Sequence, residues 1–409
     1  MSGFWRSVVS VLTGTAVAQI IPVVGSLILA RLYAPEQFGL FSAWLGVVLL
    51  AAVVFTGRFE TALAIELDGE PRRLAVIATL TTAALAAFAS AAILGILVVV
   101  GSRWLADVPA WLIVASVPTA LAIASAQTWQ SWAAAEGMYR PLSAMRIVQA
   151  AAVTFLQIII GYRYASAESL AVAHLLGVIA GVLYSARVMP AGSFPVGKAA
   201  TTVRDFWIRQ RRFPLLSLPA DSINTAAAQL PILIVAGRFG AEIAGFLAMA
   251  MRVLGAPIGL LGKSVLDVFK RHAATSFRDR GECRGDYIRT FKVLTLCSIV
   301  FCLLMAVSSE ALFAYAFGET WRDAGTIAVW LLPLFALRFI ASPLSYMVYI
   351  TGKQHVDLVW QIALLGLTLA SLNIPQRHDH ALQAYSVGYA LLYVAYLAMS
   401  YRFSLGKGR

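Results

Sequence analysis

Apolar runs of about twenty residues recur along the whole of this chain, and no other feature constrains its fold as strongly. A helix rises about 1.5 Å per residue, so about 20 residues cross a hydrocarbon core about 30 Å thick. Hydrocarbon offers backbone groups no hydrogen-bond partner, and a helix satisfies all of its own. The pattern therefore predicts an all-α, polytopic membrane protein.

Twelve of these runs have spanning length. The first shows no cleavage pattern of a leader peptide, so we expect it to be retained. An even number of spans puts both termini on one side of the membrane. The predicted helices cover residues 7–30, 38–57, 74–100, 110–134, 143–161, 168–189, 213–236, 242–262, 291–317, 325–350, 355–375 and 381–402.

The spans divide into two six-helix halves at residues 1–189 and 213–409. Residues 190–212 form a polar connector and are expected to be a cytoplasmic linker. The basic end of this linker, RDFWIRQRRF, places Phe206 and Trp207 among arginines. That composition favours a segment lying on an anionic membrane surface.

Charge is scarce and unevenly distributed. Hydrophobic residues make up 60% of the chain and charged residues 13%, whereas a soluble domain carries about 25% charged residues. Most of the 32 lysines and arginines lie in connectors on the side of the two termini, which predicts cytoplasmic termini by the positive-inside rule. This asymmetry accounts for the net charge of +12 without a nucleic-acid partner.

No cofactor signature is present in the sequence. The three cysteines, Cys283, Cys297 and Cys302, have no CxxC spacing, which argues against a metal site or a disulfide framework. The chain also lacks a GxxxxGK[ST] phosphate loop. We therefore expect no cofactor, no metal and no catalytic residue.

The two halves share a short sequence echo. ARLYAPEQFGLFSAW, beginning at Ala30, aligns without a gap with GRFGAEIAGFLAMA, beginning at Gly237, and an Ala-Gln pair precedes each. Such a repeat predicts a duplicated bundle, in which substrate sites lie near the bilayer midplane. The aligned pairs are Tyr33 with Phe239, Glu36 with Glu242, and Gly39 with Gly245.

Three segments carry a family resemblance: LARLYAPEQFGLF, GRFETALAIE, and the long run from RFPLLSLPADSINTAAAQLPILIVAGRFGAE to SVLDVFKRHAA. They resemble the Wzx-like polysaccharide repeat-unit flippases. That family belongs to the superfamily of multidrug and toxin extruders and lipid II flippases. The resemblance covers both halves and is strongest over residues 16–66 and 211–274.

The resemblance implies a MATE-like fold and a flippase function. The substrate would be an undecaprenyl-diphosphate-linked oligosaccharide, moved by alternating access from the cytoplasmic to the periplasmic leaflet of the bacterial inner membrane. The product would feed O-antigen, capsule or exopolysaccharide assembly. Expected partners are membrane lipid, a polysaccharide polymerase and chain-length machinery.

Asp221, Arg252 and Arg338 are charged residues that lie deep inside predicted spans. Such a charge costs about 2.5–3.5 kcal/mol at the centre of a span, so it usually faces a polar cavity or a partner. Arginine suits a diphosphate because its planar fork binds two phosphate oxygens and stays charged. Asp221 lies at a depth comparable to that of Arg252, so the two either pair with each other or line the cavity.

Further candidates lie in or near the first, second and seventh spans. Arg58 and Glu60, in the GRFE stretch after the second span, either form the cytoplasmic rim of the cavity or pair at the interface. Polar amides inside spans either bind sugar hydroxyls or join helices. These amides are Gln19, Asn224 and Gln229.

Two other functions fit parts of the pattern. A cation-coupled multidrug extruder of the same superfamily needs acidic residues in its cavity, and Asp221 is the deep carboxylate here. A membrane-embedded glycan polymerase or ligase needs large outer loops or clustered acids, and the outer loops are short. The flippase interpretation therefore leads.

Overall fold

A computed structural model of the chain describes residues 2–100, 109–188, 199–351 and 353–406. These residues form helices and turns and contain no strand. Most of the predicted linker, residues 190–198, lies outside the described residues. The helices form two compact units, which divide the chain inside one helix, between Gln229 and Leu230. The boundaries of the two sequence-defined halves stay a prediction.

The first unit comprises Met1–Tyr33 and Leu40–Gln229. The second helix of the first unit begins in the second unit, and the last helix of the first unit ends in the second unit. The helices are α1 (Ser2–Leu32), α2 (Pro35–Thr56), α3 (Phe59–Ala62), α4 (Glu70–Val99), α5 (Ala110–Ala135), α6 (Tyr139–Arg163), α7 (Ala167–Val188), α8 (Ala199–Arg209) and α9 (Leu218–Phe239).

Helix α6 lies at the centre of the packing in this first unit. It contacts α1 and α7, while α5 packs between α4 and α7. The buried Tyr33, just after α1, donates its hydroxyl hydrogen to the carbonyl oxygen of Gln157 at 2.9 Å and lies 3.1 Å from the Ser169 hydroxyl. The end of α1 is therefore fastened to both α6 and the start of α7.

The second unit comprises Ala34–Gly39 and Leu230–Arg409. Helix α13 is its centre and contacts α10, α12 and α16, and α15 packs on α16. The helices of this unit are α10 (Ala241–Pro257), α11 (Lys263–Arg280), α12 (Arg284–Phe317), α13 (Arg322–Leu344), α14 (Met347–Ile350), α15 (Gln354–Asn373) and α16 (His378–Ser404).

Length and composition identify the membrane helices. Among the described residues, eight helical segments are long and apolar enough to span a bilayer, and α1 and α15 each contain a shorter apolar stretch. Every one of the twelve predicted spans coincides with a helix, so the protein is a multi-pass, all-α membrane protein. The eight segments are α2, α4, α5, α6, α7, α12, Glu319–Leu344 and α16.

Wider helical turns flank the pair α9 and α10. A π-helical turn, Phe213–Ser217, leads into α9, and another, Ile258–Gly262, follows α10 directly after Pro257. Proline removes a backbone donor, which favours such a departure from regular helix. The predicted seventh and eighth spans therefore exist as helices with one irregular end each.

The aligned glycines of the sequence echo meet each other in the second unit. A β-carbon on Gly39 would overlap the carbonyl oxygen of Ala241, and one on Gly245 would overlap the carbonyl oxygen of Pro35. Pro35 and Ala241 are themselves aligned in the echo, so the contact is reciprocal, as in a two-fold interface. Small residues allow two membrane helices to approach this closely.

Replacing Gly245 with alanine tests this close approach. We expect Gly245→Ala to cost about 1–3 kcal/mol, because the new methyl group overlaps backbone atoms that have little freedom to move. The measurement is the thermal unfolding midpoint of the purified protein in detergent.

Gly237→Ala is the matched control, because Gly237 has open space around its α-carbon. Alanine favours a helix by up to about 1 kcal/mol over glycine, so this control should be neutral or stabilising. Equal midpoints for the two variants would contradict the close contact.

Candidate functional site

A left-handed turn follows α2 and positions Arg58. Gly57 and Arg58 have φ angles of 57° and 59°, and Arg58 is the only non-glycine residue with a positive φ among the described residues. A residue other than glycine adopts this conformation at a cost, and such residues cluster at functional sites. The turn reverses the chain into α3.

The Arg58 guanidinium holds two carboxylates. Its Nη1 donates to Glu60 Oε1 at 2.8 Å, and its Nε lies 2.7 Å from Asp221 Oδ2. The Glu60 side chain is 4% exposed, whereas that of Asp221 is 38% exposed. These residues, which we call the Arg58 cluster, join α3 to the first turn of α9.

Glu60 is the most deeply buried member of this cluster. Burial raises its pKa above the ordinary value of 4.5, and the nearby negative charge of Asp221 acts in the same direction. A hydrogen bond with Thr56 and the charge of Arg58 oppose the rise. The second carboxylate oxygen, Oε2, is buried and has no hydrogen-bond partner among the described residues, so it is the natural place for a proton.

The cluster gives Asp221 a partner that the sequence did not predict. The sequence placed Asp221 inside the seventh span, at a depth comparable to that of Arg252, and left open whether the two residues pair. In the structure Asp221 follows the π-helical turn Phe213–Ser217, lies in the first turn of α9 and pairs with Arg58. Its depth in the membrane stays a prediction.

Helix α8 is fastened to the same region of the first unit. The ring of Phe206 lies 5.2 Å from that of Phe59, and Trp207 Nε1 donates to Thr82 Oγ1 at 2.8 Å. Phe206 is buried. One face of the basic end of the linker is thus packed against protein, while Arg204 and Ile208 are exposed. Its location on the membrane surface stays a prediction.

Glu66 completes this attachment and was missed by the sequence analysis. Its buried carboxylate accepts a hydrogen bond from Gln210 Nε2 at 2.6 Å and lies 3.4 Å from Arg209 Nη2. The backbone carbonyl of Glu66 also accepts from Arg72 Nη2 at 2.9 Å. A signal existed, because Glu66 ends the GRFETALAIE segment, but nothing in the sequence named its partners.

Arg252 lies on α10, in the second unit, and is half-buried. Its Cζ lies 5.1 Å from the centre of the buried Phe38 ring, which meets Trp321 edge-on at 5.6 Å. Among the described residues of its unit, no carboxylate forms an ion pair with Arg252. An aromatic face stabilises the charge by about 0.5–2 kcal/mol and leaves the guanidinium hydrogens available.

Arg338 lies on α13 and is exposed. Its Cζ is 5.9 Å from the centre of the Phe335 ring, and its charge acts on the hydroxyl groups of Tyr385 and Tyr393. These tyrosines flank Tyr389 on α16, with ring centroids 4.6 Å and 6.2 Å from it. An arginine beside a row of aromatic rings is suited to binding phosphate and sugar together.

The predicted amides do not join the Arg58 cluster. Gln19 is half-buried on α1, Asn224 is exposed on α9, and Gln229 packs against Gly46 of α2. None of these three amides forms a side-chain hydrogen bond with a residue that the structure describes. Their roles as cavity residues stay a prediction.

Polar side chains on α5 and α6 were not singled out as site residues from the sequence. Arg146 Nε donates to Gln130 Oε1 at 3.2 Å. The amide oxygens of Gln127 and Gln149 are buried and have no partner among the described residues. Glutamines inside apolar runs were the available signal.

Within the described residues, no group of histidine, cysteine or acidic side chains is arranged to hold a metal ion. The candidate residues described above are arginines, amides and aromatic side chains, which are groups that bind anions and hydroxyl groups.

Solved structures show the same fold. The chain is similar to the inward closed conformation of the lipid II flippase MurJ, with a TM-score of 0.75 and 11% identity over 97% of this chain and 87% of that one. It is also similar to an inward-facing multidrug resistance MATE family transporter of the MOP superfamily, with a TM-score of 0.69 and 13% identity over 95% and 94% of the two chains. The fold is thus that of MOP superfamily transporters.

A family model described as "Polysaccharide biosynthesis protein" matches residues 28–326. The match covers most of the chain, which therefore belongs to this polysaccharide biosynthesis family. No curated protein matches the sequence significantly.

The buried Glu60 carboxylate predicts a pH-dependent stability. Its raised pKa means that the folded protein holds the proton at pH values where the unfolded chain has released it. The contribution of Glu60 to stability therefore falls as the pH rises from about 4.5 through the raised pKa. We expect Glu60→Gln, which stays neutral, to abolish this part of the pH dependence of the unfolding midpoint.

Glu70→Gln is the control for this measurement, because Glu70 is exposed at the start of α4. It should leave the pH profile unchanged. A Glu60→Gln profile parallel to that of the unmodified protein would show that Glu60 titrates normally.

Proposed function

We propose that the protein is a flippase for undecaprenyl-diphosphate-linked oligosaccharide repeat units. It moves them from the cytoplasmic to the periplasmic leaflet of a bacterial inner membrane by alternating access, with both termini in the cytoplasm. The product supplies O-antigen, capsule or exopolysaccharide assembly, in which a polymerase and chain-length machinery act next. The family and the name of the lipid II flippase, a protein of the same fold, support this substrate class.

The proposal rests on the surroundings of two charged side chains, those of Arg252 and Arg338. Both lie on helices that coincide with predicted spans, and neither is neutralised by a carboxylate among the described residues of its unit. A charge kept in such a place without an acidic partner indicates an anionic ligand. A diphosphate supplies two charges and enough oxygen atoms to accept bidentate hydrogen bonds from both forks.

Recognition of the sugar needs neutral hydrogen-bonding groups. In the first unit, the unpartnered amide oxygens of Gln127 and Gln149 are acceptors for hydroxyl hydrogens. In the second unit, the half-buried ring of Tyr393 lies near Arg338. Gln19, Asn224 and Gln229 add further amides on α1 and α9. These groups fit many sugars, which suits a carrier of repeat units.

The Arg58 cluster, in the first unit, is a further candidate for contact with the substrate. Arg58 is shared between Glu60 and Asp221, so an arriving diphosphate competes with two carboxylates for it. Protonation of Glu60 removes one competitor. Arg58 would then bind the substrate while Asp221 holds the guanidinium in place.

The membrane potential supplies the driving force. Moving one negative charge outward across an inside-negative membrane releases about 2.3 kcal/mol per 100 mV. A diphosphate diester with two charges thus gains roughly 4–5 kcal/mol per 100 mV. The transport cycle needs no nucleotide.

The alternative is a cation-coupled multidrug extruder of the same fold class. A structure of the MATE multidrug transporter DinF-BH in complex with R6G is similar to this chain, with a TM-score of 0.62 and 14% identity over 96% of this chain and 94% of that one. An extruder of cations needs a free carboxylate. Here Asp221 is paired with Arg58, which favours the flippase.

The test replaces the two arginines in a strain that lacks the chromosomal gene. We expect Arg252→Gln and Arg338→Gln each to reduce export of lipid-linked polymer by about tenfold or more, because a charge-assisted hydrogen bond contributes about 1.5–3 kcal/mol. Arg252→Lys should restore only part of the activity, because lysine lacks the fork. Accumulation of the unflipped lipid-linked intermediate is the readout.

The control is Arg163→Gln at the exposed end of α6, which should export normally. Intact export by the double variant Arg252→Gln and Arg338→Gln would refute the proposal. Transport of cationic dyes by vesicles, abolished by Asp221→Asn, would establish the extruder instead.

A further inference from the structure

An apolar groove runs along three helices of the second unit. It encloses about 610 Å³, within the range of about 300–1,000 Å³ typical of ligand pockets. Helices α12, α13 and α16 line it, and each belongs to a segment long and apolar enough to span the bilayer. The aliphatic residues that line the groove are Leu337, Ile340, Val394, Leu397 and Ala398.

One end of this groove carries a positive charge. Lys292 lines the groove from α12 and is exposed, and in the described part of its unit it has no carboxylate partner. Tyr287 and Tyr401 lie at the same end, with ring centroids 5.7 Å apart. The basic connectors at this end of the helices are the ones that the sequence predicts to be cytoplasmic.

A hydroxyl group without a partner lies just below Lys292. Thr295 also lines the groove, and its buried Oγ1 has no hydrogen-bond partner among the described residues. Helical threonines such as Thr79 and Thr128 donate to the carbonyl oxygen four residues earlier. Thr295 does not, so its hydrogen is available to an acceptor inside the groove.

The two polar groups have a defined spacing. Lys292 and Thr295 are three residues apart, so they share a face of α12 and are separated by roughly 4.5 Å along its axis. A ligand that binds both Lys292 and Thr295 needs an anionic group at the mouth of the groove and a hydrogen-bond acceptor slightly deeper. A hydrocarbon chain would fill the apolar part below. A glycerophospholipid has this order of groups: phosphate, ester carbonyl, acyl chain.

We propose that this groove is a binding site for one acyl chain of an anionic glycerophospholipid of the same membrane leaflet. Lys292 binds the phosphate and Thr295 donates its hydroxyl hydrogen to the ester carbonyl. The site is distinct from Arg252 and Arg338 and does not depend on the proposed flippase activity. A polyprenyl diphosphate has no ester carbonyl at that depth, so Thr295 favours the phospholipid.

Native mass spectrometry of the full-length, delipidated protein tests the site. The probes are phosphatidylglycerol, phosphatidylcholine and undecaprenyl phosphate, each titrated separately. We expect one tightly retained phosphatidylglycerol. Lys292→Gln should weaken it roughly fivefold, since a lysine near an anionic headgroup contributes about that factor.

Two further variants probe the inside of the groove. Ala398→Phe fills it from an exposed lining position and should remove the retained lipid. Thr295→Val has nearly the same shape as threonine, so it folds even if Ala398→Phe does not. It should weaken phosphatidylglycerol and phosphatidylcholine by about two- to tenfold, as expected for one hydrogen bond, and leave undecaprenyl phosphate unchanged.

The controls are Val387→Phe, on an exposed part of α16 away from the groove, and Arg284→Gln, at the exposed start of α12. Both should bind as the unmodified protein does. Undiminished phosphatidylglycerol binding by Ala398→Phe or Thr295→Val would overturn the proposal. So would tighter binding of undecaprenyl phosphate that is lost with Ala398→Phe, which would assign the groove to the polyprenyl chain.

Discussion

The high free energy of a charge surrounded by hydrocarbon restricts where this protein places its charged side chains and what lies next to them. The chain meets that constraint in two ways. At the end of α2, Arg58 is neutralised by Glu60 and Asp221, and the three residues stabilise one another. Arg252 and Arg338 instead rest against aromatic rings and have no carboxylate partner in the described part of their unit. Paired charges hold helices together, whereas a charge balanced only by a ring remains open to a ligand. For this reason we propose Arg252 and Arg338 as contacts of the substrate.

The connector that contains α8 is attached to the protein close to the Arg58 cluster. Helix α8 is attached to α3 and α4 through Phe206, Trp207 and the carboxylate of Glu66. The chain then continues into α9, whose first turn carries Asp221. The segment is therefore held at both ends against the turn that contains Arg58. A movement of α9 that separates Asp221 from Arg58 would have to strain or release those contacts.

Hydropathy predicted the helices well because the membrane acts on each segment separately. All twelve predicted spans are helices, and the family resemblance indicated the MOP fold. The side-chain contacts between helices were harder to predict. Asp221 and Arg252 were expected at a comparable depth, with pairing between them left open, because both were counted inward from the ends of their spans. The partner of Asp221 in the structure is Arg58, far away in the sequence. Hydropathy carries no information about which helices are neighbours, and it does not reveal that a π-helical turn precedes α9. The contact of Glu66 with Arg209 of α8 could not be predicted for the same reason.

The reciprocal contact of Gly39 and Gly245 bears on how such a chain evolves. Each glycine faces backbone atoms of the other copy of the motif, so a larger side chain in one copy would have to be accommodated by a shift of the other. Two copies that touch in this way cannot drift apart independently, although the helices around them can. If the two halves arose by duplication, as the echo predicts, this contact is where their sequences have the least freedom to diverge.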